Sequence, residues 1–68
     1  MMNRRDARTM LQHFEGLASD SDFTRTFGRS VLVVARRGEE YEYQWGPNVV
    51  SKSIALCALE TFGEAARR

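Results

Sequence analysis

At 68 residues the chain is long enough for one domain and sits near the lower size at which a chain folds without covalent or metal staples. One cysteine, Cys57, excludes an internal disulfide, and one histidine, His13, excludes a Cys/His metal cluster. A hydrophobic fraction of 43% beside 28% charged residues argues against disorder over the whole length, and a formal net charge of +1 is too balanced to argue for nucleic acid by itself.

No apolar run approaches the roughly 20 residues needed to cross a bilayer. The opening MMNRRDARTM has the positive charges of a signal peptide without an apolar segment behind them. A cytoplasmic setting is expected, which also suits a lone unpaired cysteine. Chains this short often gain missing burial by oligomerising.

Taken in chain order, Asn3 to Ala18 reads as an amphipathic helix. Ala7, Met10, Leu11, Phe14, Leu17 and Ala18 recur at three- and four-residue spacing, while Arg4, Arg5, Arg8, Gln12 and Glu15 fall mostly on the other side. Asn3 is the expected N-cap, with Asp6 near the positive end of the helix dipole. Ser19 to Ser30 reads as punctuation: Ser19-Asp20-Ser21-Asp22 ends one helix, and Phe23 and Phe27, four apart before Gly28, fit a single helical turn closed by a left-handed glycine.

Val31 to Arg37 and Tyr41 to Trp45 read as two strands of a hairpin joined by Gly38-Glu39-Glu40. The second strand alternates, with Tyr41, Tyr43 and Trp45 on one face and Glu42 and Gln44 on the other. The first does not, because Val31, Leu32, Val33 and Val34 place apolar groups on both faces. Whatever the register, one apolar set must lie on the face away from the aromatic row. Gly46-Pro47-Asn48 breaks the strand, and Asn48 or Ser51 can cap a second helix over Val49 to Phe62, ended by Gly63 and followed by a frayed tail over 63–68. Ile54 to Leu59 is apolar all the way round, as in a helix covered on more than one side. The expected fold is one α+β domain over 1–68: a two-layer helix, short turn, β-hairpin, helix unit with helices on one face of a two-stranded ribbon, completed by homodimerisation.

Chemistry requires a titratable group beside an orienting partner. Cys57 lies within the apolar stretch of the second helix, where a thiol behaves as a small hydrophobe, and His13 lies on the flank of the first helix's stripe. Asp20-Asp22 reads as capping and Glu39-Glu40-Glu42 as a solvated hairpin tip. Scattered glycines form no phosphate loop. No catalytic residue, metal site or cofactor is expected, and the chain is read as a binding protein rather than an enzyme.

The surplus of apolar surface points to another protein as partner, first of all a second copy. Val31, Val33, Ile54, Leu56 and Leu59 are the expected self-association residues. Arg36, Arg37, Glu39, Glu40 and Tyr41 at the hairpin, with Arg4, Arg5 and Arg8 as a second patch, are the expected partner surface. In size and arginine-rich style, though in no motif, the chain resembles the small accessory proteins of phages and other mobile elements. That resemblance implies a stoichiometric inhibitor or adaptor of a larger host complex, as anti-CRISPR proteins are. The alternative is a small DNA- or RNA-binding regulator that uses the arginines of the first helix and of the hairpin, with stacking on the tyrosines.

Overall fold

The computed structural model describes residues 2–63. Its elements are α1 (Arg4–Leu17), β1 (Phe23–Phe27), β2 (Ser30–Arg37), β3 (Glu40–Trp45), β4 (Asn48–Val50) and α2 (Lys52–Phe62). The strands form one four-stranded antiparallel sheet in the order β1-β2-β3-β4. The fold is thus α+β, as the sequence predicts, but with twice the expected number of strands.

The helix boundaries follow from local chemistry. Asn3 Oδ1 accepts the Asp6 N–H at 2.8 Å, so the first helix starts where its cap predicts. Of the two caps proposed for the second helix, Ser51 is used: its Oγ accepts the Ile54 N–H at 3.2 Å. Asn48, Val49 and Val50 then belong to β4 rather than to the helix. Gly63 is the C-cap of α2, as expected, in right-handed conformation, and 64–68 of the expected tail lie outside the described residues.

Phe23–Phe27 is a strand, not a helical turn. Residues four apart share a side in both a helix and a strand, so the two phenylalanines do not discriminate. The Thr24 and Thr26 between them do, because β-branched residues in strict alternation suit a pleated edge. Gly28, at φ +63°, is the first central residue of a two-residue loop between the paired Phe27 and Ser30, and Arg29 follows without a positive φ. That is the arrangement of a type II′ hairpin turn, in which glycine takes the first position. Gly38-Glu39 and Gly46-Pro47 repeat it between the next strands.

The registers assign the faces. Val34 pairs with both Phe23 and Tyr43, and Leu32 with both Arg25 and Trp45. Phe23, Phe27, Leu32, Val34, Tyr43 and Trp45 therefore share one face, and both helices pack there. Ala7, Leu11, Phe14 and Ala18 of the first helical segment join Ala55, Leu56 and Leu59 in a single core with them. Phe14 stacks on Phe23 at 4.6 Å between centroids, and Trp45 stacks on Phe62 at 5.6 Å. Full burial of side chains such as Phe14, Phe27 and Leu32 stabilises by about 1.5–3 kcal/mol each.

Two sequence expectations about burial are corrected. Glu15, placed on the polar side of its helix, is buried, where it accepts a hydrogen bond from the Tyr43 hydroxyl and lies 3.5 Å from Lys52 Nζ. This cluster ties both helices to β3, and a buried carboxylate needs such partners. The second correction concerns α2. Only Ala55, Leu56 and Leu59 are buried on it, while Ile54, Cys57 and Phe62 are exposed, so this helix is covered on one side and Cys57 is no core residue.

Candidate binding surfaces

The face of the sheet opposite the helices is built by the other parity of the same strands. It carries Thr24 and Thr26 of β1, Val31, Val33, Ala35 and Arg37 of β2, Glu40, Glu42 and Gln44 of β3, and Val49 of β4. The register aligns Thr24, Val33, Gln44 and Val49 in one row across all four strands. No element of the described residues covers this face. Val31 and Val33 are half-buried by their neighbours, and Val49 is 68% exposed. Ala35 is short enough to be hidden by the side chains around it. The centre of the face is uncharged, and its charges, Arg37, Glu40 and Glu42, stand together at the β2–β3 end.

The expected self-association residues divide. Val31 and Val33 lie on the open sheet face, as the irregular strand predicts. Ile54, 54% exposed, stands on the outer side of α2. Leu56 and Leu59 are instead buried in this chain's own core and present almost no surface to a second copy, which corrects their proposed role. An apolar stretch longer than one helix face fills the core with one side and leaves the rest outside.

The expected partner residues also divide, into two groups at opposite ends of α1. Glu15 meets Tyr43 and Lys52, while Arg4 Nε lies 3.2 Å from Glu60 Oε1 near the end of α2, so the two helices run antiparallel. The β2–β3 turn therefore projects beyond the C-terminal end of the first helix, away from Arg4, Arg5 and Arg8. Arg4 also donates to Cys57 Sγ at 3.6 Å, which makes it a clasp between helices. Arg5 and Arg8 are exposed.

At the turn, Arg36 Nε donates to the Gly38 carbonyl at 2.9 Å and Arg37 Nη1 to the Arg36 carbonyl at 3.2 Å. The register sets Arg37 opposite Glu40, yet its Nη1 lies 3.8 Å from Asp22 Oδ1. Glu39 and Glu40 are exposed, and Tyr41 is half-buried against the core. The tip thus mixes both signs of charge with guanidinium groups already turned toward its own backbone.

A third surface has no counterpart in the sequence reading. A groove of about 370 Å³ runs along α1 where it overhangs β1, lined by Asp6, Thr9, Met10, His13 and Phe14 of the helix and by Arg25 of the strand. Its helical lining recurs at positions 6, 9, 10, 13 and 14, one stripe of a 3.6-residue helix. The Arg25 guanidinium stands 5.9 Å from the centroid of the Phe14 ring. Only the alternation Phe23-Thr24-Arg25-Thr26-Phe27 hints at this groove, because it places Arg25 on the same face as the two phenylalanines. His13 therefore lines the groove and Cys57 lies across the helix pair beside Arg4, so the two are not brought together.

Among the described residues, no group of three or more His, Cys, Asp and Glu side chains gathers in metal-binding proximity, and no helix is long and apolar enough to cross a membrane. No family model, curated protein or solved structure matches this chain.

Proposed function

We propose that this chain is a protein-binding module that self-associates through the open face of its sheet, two copies stacking face to face. The observation that carries the reading is the row Thr24, Val33, Gln44 and Val49, flanked by Val31 and Thr26, on a sheet whose other side packs against both helices. Sheets bury such faces against one another at about 10 Å separation. The rim supports a second copy as the occupant. Arg37 stands beside Glu40 and Glu42, so a two-fold arrangement sets a cation of one copy against a carboxylate of the other, the self-complementarity that an isologous interface requires.

The size of the face sets the strength. Four strands about 4.8 Å apart and five residues rising about 3.3 Å each give a footprint on the order of 300 Å². Specific interfaces usually bury about 800 Å² per partner, so the dimer is weak and dissociates on dilution. A module of this kind acts by occupancy, as an inhibitor or adaptor of a larger partner, with the Gly38-Glu39 turn and Arg36 left outside the paired sheets.

Light scattering on a sizing column, run over a wide range of loading concentrations, tests the pairing. The expected mass rises from that of the 7.8 kDa monomer toward twice that value, and Val33→Glu stays monomeric with unchanged circular dichroism. A wild-type chain that is monomeric throughout, or a Val33→Glu variant that associates as before, removes this reading.

A further inference from the structure

We infer that the groove between α1 and β1 receives an extended peptide segment of a partner protein, which adds to β1 as a fifth strand and carries an acidic side chain next to an apolar one on the helix side. The site is on the opposite face of the sheet from the proposed dimer contact and does not depend on it.

Two independent features meet here. The first is an edge. β1 ends the sheet, and the two-residue turn after it fixes which of its backbone groups are in use. In such a hairpin the residues flanking the loop, Phe27 and Ser30, exchange hydrogen bonds, and the pattern alternates from there. Phe23, Arg25 and Phe27 therefore bond toward β2, while the N–H and C=O groups of Thr24 and Thr26 point away from the sheet. Both threonines are exposed. Outward donors and acceptors on an edge strand are the template for strand addition.

The second feature is the groove that runs along this edge on its helix side. A strand laid beside β1 alternates its side chains between the two faces, so every second residue enters the space beneath α1. There it meets Met10 and the Phe14 ring as an apolar floor, with the Arg25 guanidinium 5.9 Å from the centroid of that ring. Among the described residues no carboxylate lies within ion-pair distance of Arg25. The groove also holds Asp6, eight residues before Phe14 on the helix, so the preference for acid is local to Arg25 on the strand side. A segment with an acidic residue beside Arg25 and an apolar one two positions away fits, since residues i and i+2 share a face.

The test uses labelled nine-residue peptides, acetylated and amidated, of threonines with one leucine and one glutamate two positions apart, and the same peptides with lysine for glutamate. Fluorescence anisotropy is read on the full chain and on three variants. The wild-type chain is expected to bind the glutamate peptide at least tenfold more tightly than the lysine peptide. Thr26→Pro removes an outward N–H that β2 does not use, a substitution edge strands accept, and is expected to weaken the glutamate peptide at least tenfold with the fold retained by circular dichroism. Arg25→Glu is expected to reverse the preference. Val33→Glu is expected to leave peptide affinity unchanged, which separates this site from self-association.

Absence of binding to the wild-type chain, equal affinity for both peptides, or indifference to Thr26→Pro and Arg25→Glu overturns the proposal.

Discussion

The two faces of the sheet are made by the same four strands and differ only in parity, yet they are composed differently. The covered face holds Phe23, Phe27, Leu32, Val34, Tyr43 and Trp45, large groups that meet two helices of the same chain. The open face holds threonines, valines, an alanine and a glutamine, with charges only at one end. Large aromatic groups need neighbours on several sides and so mark the face whose cover the chain itself supplies. Small β-branched residues favour the strand while leaving a flat, neutral surface that costs little to expose and little to cover. The chain thus completes one layer of packing internally and leaves a second, shallower face that no described element covers.

The largest expected effect breaks the covered face. Leu32→Ala removes a fully buried side chain beneath both helices and is expected to destabilise the fold by about 2–5 kcal/mol in urea unfolding. Its neighbour Val33, one residue on and on the other face, sharpens the contrast: Val33→Ala is expected to change monomer stability by less than about 1 kcal/mol, measured at concentrations too low for pairing.

An intermediate effect is expected at the buried cluster. Tyr43→Phe leaves Glu15 without its hydroxyl donor and is expected to cost about 1–3 kcal/mol near neutral pH. Burial, and then the adjoining Glu15 carboxylate, push the Tyr43 phenol well above its ordinary range. The folded state thus holds this proton more tightly than the unfolded state does. Stability from it is constant below the unfolded value of about 10 and falls as pH rises beyond that. Unfolding midpoints measured from pH 8 to 11 are expected to fall faster for the wild-type chain than for Tyr43→Phe.

Much of this fold is legible in the sequence where local chemistry decides. Asn3 and Ser51 cap their helices through their own side chains, and Tyr41, Tyr43 and Trp45 announce an alternating strand. The four valine and leucine positions from Val31 to Val34 already require an apolar set on the uncovered face, and the register supplies which one. Elsewhere a local pattern fits two structures. Phe23 and Phe27 suit a helical turn or a strand, and Gly28 suits a helix end or a II′ turn, so β1 is decided by pairing with β2. β4 is hidden by its brevity and by Pro47, whose missing N–H matters little in a turn.

Burial on α2 and at Glu15 is hidden for a different reason. Leu56 and Leu59 are core while Ile54 and Cys57 are not, a division made by where the sheet lies rather than by hydrophobicity. Glu15 is buried only because Tyr43 and Lys52, distant in the chain, come to it. The groove beneath α1 is likewise a product of assembly, since neither its helical stripe nor Arg25 forms a concave surface alone.

The claim that the open sheet face pairs two copies is tested most directly by isotope-filtered nuclear Overhauser measurements. A mixture of labelled and unlabelled chains would be recorded at the highest soluble concentration. Face-to-face pairing predicts intermolecular contacts among the methyl groups of Val31, Val33 and Val49 that fade on dilution. Intermolecular contacts confined to Ile54 and Phe62, or none at any concentration, would contradict it.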